Sequence, residues 1–597
     1  MATSPKPIVI GLYGISGSGK SFLLEYLRQK LSPAEFILFE GSDKIASLIP
    51  GGLEAFHKLG AQDKSNLRGH AIDAISKESH DSGRTAIVTG HLMFWKEQDA
   101  FGQLVYTSND LATFTHIIYL NMPAGLISKR RLNDERKDRS VVSQDHLRRW
   151  QETEISLLRN LCRENHILFY TMANADTLQP RFMDLILHFQ QPSTVESNIT
   201  RVQAKLDEIL TLPKHDDLET VVVMDADKTL AAEDTGVLFW EALARAQPSS
   251  VTGSPSHELF SSRLGYSEAA FQQATLLYEE VADDEQFETV CDTVAAGIVM
   301  HPQITSLLRL AAEQRHIGAL VVTCGLGHVW RKVLERHKLS EMVHVIGGGR
   351  IKDGFVVTAE AKAAIVSRLR NAHLYVWAFG DSPLDLPMLK GADQAIVVVG
   401  DKQTRSQSMD EALSKAMDDG NFRPQQVLLP SQSTPRLDES RLPLIRLDDQ
   451  LFIESVMCHR RPVQILHATD RAAAQLLTAP TRDASISGPA LRKAHELVGR
   501  YLAIEFITQL IGLQEYTIPH VQGYQTMGHR LRNEEQTSIV ALMRGGEAMA
   551  FGVNMVFPQA MFIHASSPSD LKRHHVDQQR TKGTDTGNRL FNTIHLA

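Results

Sequence analysis

Val221-Val-Val-Met-Asp225-Ala-Asp227-Lys-Thr229-Leu230 lies near the middle of the 597-residue chain. Four apolar residues make a short buried strand. It ends on two aspartates one residue apart, followed by a threonine. At the carboxyl end of a strand, such a pair aims both carboxylates at one point. One can attack phosphorus while the other protonates the leaving oxygen. A lone Asp-x-Asp at a strand end is more often a turn or a helix cap, so its companions decide the reading.

Those companions follow in order. Gly318-Ala-Leu-Val-Val-Thr323-Cys-Gly325 reads as a strand ending on a hydroxyl and an N–H that can hold a phosphate oxygen. Val376-Trp-Ala-Phe-Gly380-Asp381-Ser382-Pro-Leu-Asp385 is another strand, ending in Gly-Asp-Ser with a second aspartate four residues on. Lys362 opens a helical stretch between the two, with Lys352 nearby as the alternative lysine. Acids, hydroxyl and lysine thus meet at the carboxyl ends of strands, where α/β sites form.

This ordered set resembles the haloacid dehalogenase superfamily, most closely its phosphoserine phosphatase branch, over residues 219–400. The resemblance implies a Rossmann-like fold, with a helical cap at about 232–305. It also implies roles. Asp225 is the nucleophile that forms an aspartyl-phosphate, and Asp227 is the general acid and then the base for water. Thr323, Gly325 and Lys362 hold phosphoryl oxygens. Asp381 and Asp385, with Asp225 and Asp227, make the Mg²⁺ site. The physics agrees: a phosphate dianion and a carboxylate nucleophile repel each other, so the site needs a divalent cation and a lysine.

Upstream, Pro7-Ile-Val-Ile-Gly-Leu-Tyr13 is a strand pattern. It runs into Gly14-Ile-Ser-Gly17-Ser18-Gly19-Lys20-Ser21 and a helical Phe22-Leu-Leu-Glu-Tyr-Leu-Arg. That is G-x-x-x-x-G-K-[ST] in its strand–loop–helix setting, a loop whose N–H groups turn onto phosphate oxygens. Lys20 reaches the β- and γ-phosphates of ATP, and Ser21 ligates Mg²⁺. Strands at 36–39, 85–90 and 116–120 imply a doubly wound parallel sheet. The strand 85–90 ends on Thr89, Gly90 and His91, with no aspartate to complete the Mg²⁺ shell. Asp43 reads equally as a substrate-side base or an ordinary cap. Residues 1–190 resemble the small-molecule P-loop kinases of the nucleoside, gluconate and adenylate kinase type. By that resemblance Arg131, Arg136 and Arg139 close over ATP.

The stretch 191–218 reads as a linker carrying one amphipathic helix, and 401–443, polar and proline-bearing, as a second linker. From 444 to about 581 the chain resembles uracil phosphoribosyltransferase. The likeness rests on Arg482-Asp483, the helix that follows, and Met543-Arg544-Gly545-Gly546-Glu-Ala-Met549. The resemblance puts Arg544, Gly545 and Gly546 at the pyrophosphate of phosphoribosyl pyrophosphate. Beyond Thr581 that family continues with a strand and a Ser/Thr/Gly loop for the 5′-phosphate. No apolar strand precedes Thr584-Asp-Thr-Gly587 here. The expectation is an incomplete domain (444–597) without transferase activity. Its exposed apolar surface would favour a homo-oligomer.

Composition bounds the rest. The apolar fraction of 43% and charged fraction of 22% are those of ordinary globular protein. A net charge of −8 and the lack of a long basic tract weigh against a nucleic-acid partner. Cys162, Cys291, Cys324 and Cys458 are too scattered for a metal site or a disulfide framework. With no signal peptide pattern and no bilayer-length apolar run, the expected location is the cytoplasm and no membrane partner is expected. The expected protein is a phosphatase and ATP-dependent kinase acting on small-molecule phosphate esters and nucleotides, in nucleotide or nucleoside metabolism. Two alternatives stand beside it. One is a nucleic-acid end-processing kinase/phosphatase. The other is a non-catalytic, ligand-sensing regulator built from enzyme domains.

Overall fold

A computed structural model describes residues 6–133, 142–173, 178–191, 194–212, 217–247, 254–418, 422–457, 466–543 and 545–565. The chain divides into two compact units, Met1–Arg461 and Pro462–Ala597.

The first unit holds two parallel sheets. The N-terminal one uses β1 (Val9–Tyr13), β2 (Phe36–Glu40) and β3 (Thr85–Thr89). A small antiparallel pair follows, β4 (Met93–Phe94) and β5 (Gln103–Leu104), and then β6 (His116–Leu120) and β7 (Leu168–Met172). The order β2-β3-β1-β6-β7 places β1 in the middle, so the loop leaving it opens at the sheet's centre.

The second sheet runs β10-β9-β8-β11-β12-β13-β14, and every neighbouring pair is parallel. Its strands are β8 (Thr220–Met224), β9 (Ile317–Thr323), β10 (Val343–Gly347), β11 (Tyr375–Gly380), β12 (Gln394–Val399), β13 (Gln425–Leu428) and β14 (Leu444–Ile445). β8 is buried throughout. Val221 and Val223 feed the core on one face, and Val222 and Met224 the core on the other. An unbroken β-branched run is what a strand covered on both sides requires. Four helices between Thr235 and Gly297 form the cap.

Two sequence expectations are corrected here. Residues 401–443 are no linker: they supply the helix Ser408–Asp418 and β13, which extends the sheet beyond residue 400. Residues 444–457 belong to the first unit, not to the C-terminal one. β14 pairs with β13, and the helix Gln450–Met457 covers the sheet, with Phe452 edge-on to Trp377 at 5.5 Å. Hydrophobic burial of Phe452 and Val456 outweighed the polar, proline-rich look of the approach.

The cap also meets the N-terminal sheet. Gln273, on the cap helix Glu268–Val281, accepts from Phe169 N (2.8 Å) and donates to Phe169 O (2.7 Å), as a neighbouring strand would. Glu280 accepts from Thr171 N (2.7 Å) and pairs with Arg159 (2.8 Å). The open edge of β7 is thereby satisfied.

The second unit contains an antiparallel hairpin, β15 (Leu513–Pro519) and β16 (Gln525–Leu531), and a parallel pair, β17 (Ser538–Leu542) and β18 (Met561–Ala565). The helix expected after Arg482-Asp483 is α-helical over Gly488–Leu502 and then π-helical over Ala503–Ile507. Among the described residues no helix is long and apolar enough to cross a membrane.

Candidate active sites

Asp225 leaves β8 with its N–H bonded to Phe379 O of β11 (2.9 Å), which fixes where its carboxylate points. Lys362 meets it from the first turn of the helix Ala359–Asn371, whose start Thr358 sets by accepting from Ala361 N (3.2 Å). The Lys362 ammonium donates to Asp225 Oδ1 and to Asp385 Oδ1 (2.7 Å). The alternative, Lys352, points elsewhere and lies 3.8 Å from Asp284. Asp385 Oδ2 accepts from the N–H groups of Asp381 (3.1 Å) and Ser382 (3.0 Å) and from the Ser382 hydroxyl (2.9 Å). Asp385 therefore braces the turn that carries Asp381.

Asp225, Asp381 and Asp385 are all buried, with one carboxylate oxygen from each lying within 4.8 Å of the others. The Lys362 ammonium sits among these carboxylates, paired with Asp225 and Asp385. Burial, then Asp385 and Asp381, push the Asp225 carboxyl up against the pull of Lys362. Burial and Asp385 raise Asp381 to about 7. Lys362 is held charged by Asp225 and Asp385, although burial opposes it. A divalent cation is what this donor set fits. Asp225 and Asp381 could hold it, with Asp385, whose Oδ2 braces the 381–382 turn, beside them in the same cluster.

The Asp227 carboxylate was expected at the metal and is not in that cluster. It turns toward the cap, accepting from Thr235 N (2.7 Å), Trp330 Nε1 (3.3 Å) and the Thr323 hydroxyl (3.3 Å). Burial and the nearby Asp234 raise it to about 6. Thr323 also accepts from Gly325 N (2.9 Å). A side chain at Gly325 would collide with the Asp227 carboxylate, so the close approach requires glycine there.

At the N-terminal sheet, Gly14, Gly17 and Gly19 have φ of 146°, 96° and 105°, values that let the loop curl with its N–H groups inward. Lys20 is buried under this loop, donating to the carbonyls of Gly14 and Ile15 (3.2 Å for Ile15) and meeting His91 Nε2 at 3.1 Å. The Ser18 hydroxyl is buried and makes no hydrogen bond among the described residues. Ser21 is exposed at the start of the helix. These groups fit a nucleotide phosphate. Arg131 donates to Ser16 O (3.2 Å), on the P-loop itself, while Arg136 and Arg139 lie outside the described residues. Asp43 is exposed in the first turn of the helix Gly41–Ser47.

In the second unit, Gly546 N donates to Leu542 O (2.9 Å) in the turn after β17. Gly545 sits in that turn, and Arg544 is outside the described residues, as is everything from 566 on.

Three family models match the chain. Residues 222–390 match haloacid dehalogenase-like hydrolase, 468–582 uracil phosphoribosyltransferase, and 13–148 an AAA domain. Similar solved structures include a phospho-aspartyl intermediate analogue of phosphoserine phosphatase. It is 16% identical, covers 30% of this chain and 87% of that one, and has a TM-score of 0.22. Another is a protein with unknown function from Bordetella pertussis Tohama I (18% identity, 33% and 96% covered, TM-score 0.25). A third is L-2-haloacid dehalogenase from Xanthobacter autotrophicus (14%, 34% and 84%, 0.22). No curated protein matches the chain. The motifs and the family models agree on three α/β parts: a P-loop part, a haloacid dehalogenase-like part and a uracil phosphoribosyltransferase-like part.

Several residues of these sites escaped the sequence reading. Trp330 and Thr235 hold Asp227 in the hydrolase-like part, and Arg130 donates to Ser18 O (3.0 Å) in the P-loop part. Arg130 had a signal, since it precedes Arg131 on the same basic helix end. Trp330 had none, because nothing local ties it to a carboxylate 103 positions earlier.

Proposed function

We propose that the haloacid dehalogenase-like part hydrolyses phosphate monoesters through Asp225, and that the P-loop part phosphorylates a small molecule from ATP. The observation that carries the first reading is the unequal pair at the end of β8. Asp225 lies in the carboxylate cluster and pairs with Lys362, while Asp227 is turned away from that cluster toward Thr235 N, Trp330 and Thr323.

The roles follow from that inequality. An Asp225 oxygen attacks phosphorus as the bond from phosphorus to the ester oxygen breaks, and Asp227 gives its proton to that departing oxygen. Asp227, now ionised, takes a proton from water, which attacks the aspartyl-phosphate and releases inorganic phosphate and free Asp225. Lys362 offsets the charge of the transferring group, and Thr323 with Gly325 N offers donors at the end of β9. Asp225 and Asp381 would hold Mg²⁺, which would supply positive charge against the phosphate oxygens.

The second reading rests on Lys20, Ser18 and the positive-φ glycines of the loop. We also infer that the substrates are small phosphate esters and nucleotides rather than nucleic acid, in keeping with the net charge of −8, and that the protein works in the cytoplasm.

The test is phosphate release from a panel of nucleoside, sugar and amino-acid phosphates, with and without Mg²⁺, for the native chain and Asp225→Asn. Release that needs Mg²⁺ and disappears in the variant supports the reading. Release that survives Asp225→Asn sinks it.

A further inference from the structure

Arg436 lies 46 residues beyond the end of the hydrolase-family match at 390, yet its guanidinium reaches the acid cluster. Its side chain is fully buried, with 0% exposure. Nη2 donates to the backbone carbonyl of Asp381 (3.3 Å). Nη1 donates to Ser406 O (2.6 Å) and to Asp410 Oδ1 (2.6 Å). The backbone behind it is fixed as well. Gln426, fully buried on β13, accepts from Arg436 N (2.9 Å) and donates to Leu437 O (2.9 Å) and Leu442 O (2.8 Å). The Asp381 peptide is thus gripped on both sides, at its N–H by Asp385 and at its carbonyl by Arg436.

We infer that Arg436 is a positioning residue of the phosphatase site, orienting Asp381 for Mg²⁺ from a part of the chain outside the catalytic segment. The inference rests on the phosphatase reading above. Burying a guanidinium is costly unless its donors are used. Here Nη1 and Nη2 reach three acceptors, on the turn after β11, at Ser406 and on the helix Ser408–Asp418, in a planar fork that a lysine ammonium does not reproduce, while Nε has no partner among the described residues. Partners that orient a metal ligand are worth about ten- to a hundredfold in metal affinity. Loss of the fork should therefore weaken Mg²⁺ binding even when the positive charge is kept. A purely electrostatic role predicts the opposite pattern: an unchanged affinity with lysine, and a tighter one with a neutral side chain.

The experiment uses the full chain without nucleotide and compares the native protein with Arg436→Lys, Arg436→Met and Asp381→Asn. Mg²⁺ binding is followed by calorimetry and by the Mg²⁺-induced rise in melting temperature. The metal-free melting temperature serves as the control for folding. The expected result is a rise of about tenfold in the Mg²⁺ half-saturation of both Arg436 variants. In phosphate release, kcat should fall at limiting Mg²⁺ with KM for the ester little changed. Native Mg²⁺ affinity in both Arg436 variants overturns the inference, as does native affinity in Arg436→Lys with tighter binding in Arg436→Met. If Asp381→Asn also binds Mg²⁺ like the native chain, the metal site itself fails and takes the phosphatase reading with it. Should the Arg436 variants not fold, Asp410→Asn loosens the same fork from a partly exposed position. It should raise the half-saturation two- to fivefold, and no change there overturns the inference.

Discussion

Asp225 and Asp227 leave one strand two residues apart and reach opposite settings. The first pairs with Lys362 in the carboxylate cluster, while the second faces Thr235 N, Trp330 and Thr323. Trp330 matters here for one N–H. Trp330→Phe keeps most of the ring and removes that donor, so the Asp227 carboxylate loses a charge-assisted bond of about 1.5–3 kcal/mol. We expect kcat for phosphate release to fall roughly tenfold, with KM nearly constant. A variant with native kcat would remove Trp330 from the working site. At this scale the sequence was most informative. Asp-x-Asp, Thr323, Lys362 and Asp381 through Asp385 are legible because each sits at the end of a strand or the start of a helix with its own local pattern. The orientation of the Asp227 carboxylate was not legible, since its donors come from the cap and from the helix after β9.

Elements tell a different story. His116 begins β6 with its ring buried against Phe189, centroids 4.1 Å apart, on the helix Leu178–Gln190. Burial, with positive charge from His188 and Lys6, lowers it to about 3. The unfolded chain accepts that proton near pH 6.5, so the contribution of His116 to stability is whole above pH 6.5. It falls as the pH drops from there toward 3. His116→Phe should remove about 2 kcal/mol of the stability lost between pH 7 and pH 5, read from urea midpoints at the two values. An equal acid loss in the variant would assign the effect to other groups.

The strands β13 and β14 and the helix Gln450–Met457 make a second element-scale case. A chain ending at residue 400 lacks all three and uncovers Trp377, β12 and the Arg436 side of the site. We expect it to be insoluble or without phosphatase activity, whereas a chain ending at Arg461 retains both sheets and both activities. Equal activity in the two truncations would show the extension to be dispensable. Those elements were hidden in the sequence because all three are short and the two strands are flanked by prolines. Their stability comes from an existing sheet edge rather than from their own pattern.

On the scale of the first unit, the cap is shared. One face of the helix Glu268–Val281 completes the edge of β7 through Gln273 and Glu280, and Leu276 enters the core of the N-terminal sheet. The same helix is tied through Glu279 to Arg350 (2.8 Å) and to Ile351 N (2.9 Å). Glu280→Ala leaves the Thr171 N–H unpaired and Arg159 without its carboxylate. We expect a loss of about 2 kcal/mol, less than the full cost of breaking a buried pair because Arg159 is partly exposed. Urea unfolding followed by a probe in each sheet would measure it, and loss in only one transition would show the two halves to unfold independently.

The sequence by itself determined the three-part composition, the P-loop, the strand that ends on Asp225 and the order of the candidate site residues. These depend on short runs whose periodicity and turn chemistry are local. Only the tertiary structure decided that 401–457 completes the hydrolase-like sheet, that Asp227 turns from the other three aspartates toward the cap, and that Arg436 grips Asp381. Each joins residues far apart in the chain, and a buried polar atom takes whichever donor the fold brings near, which no local pattern encodes.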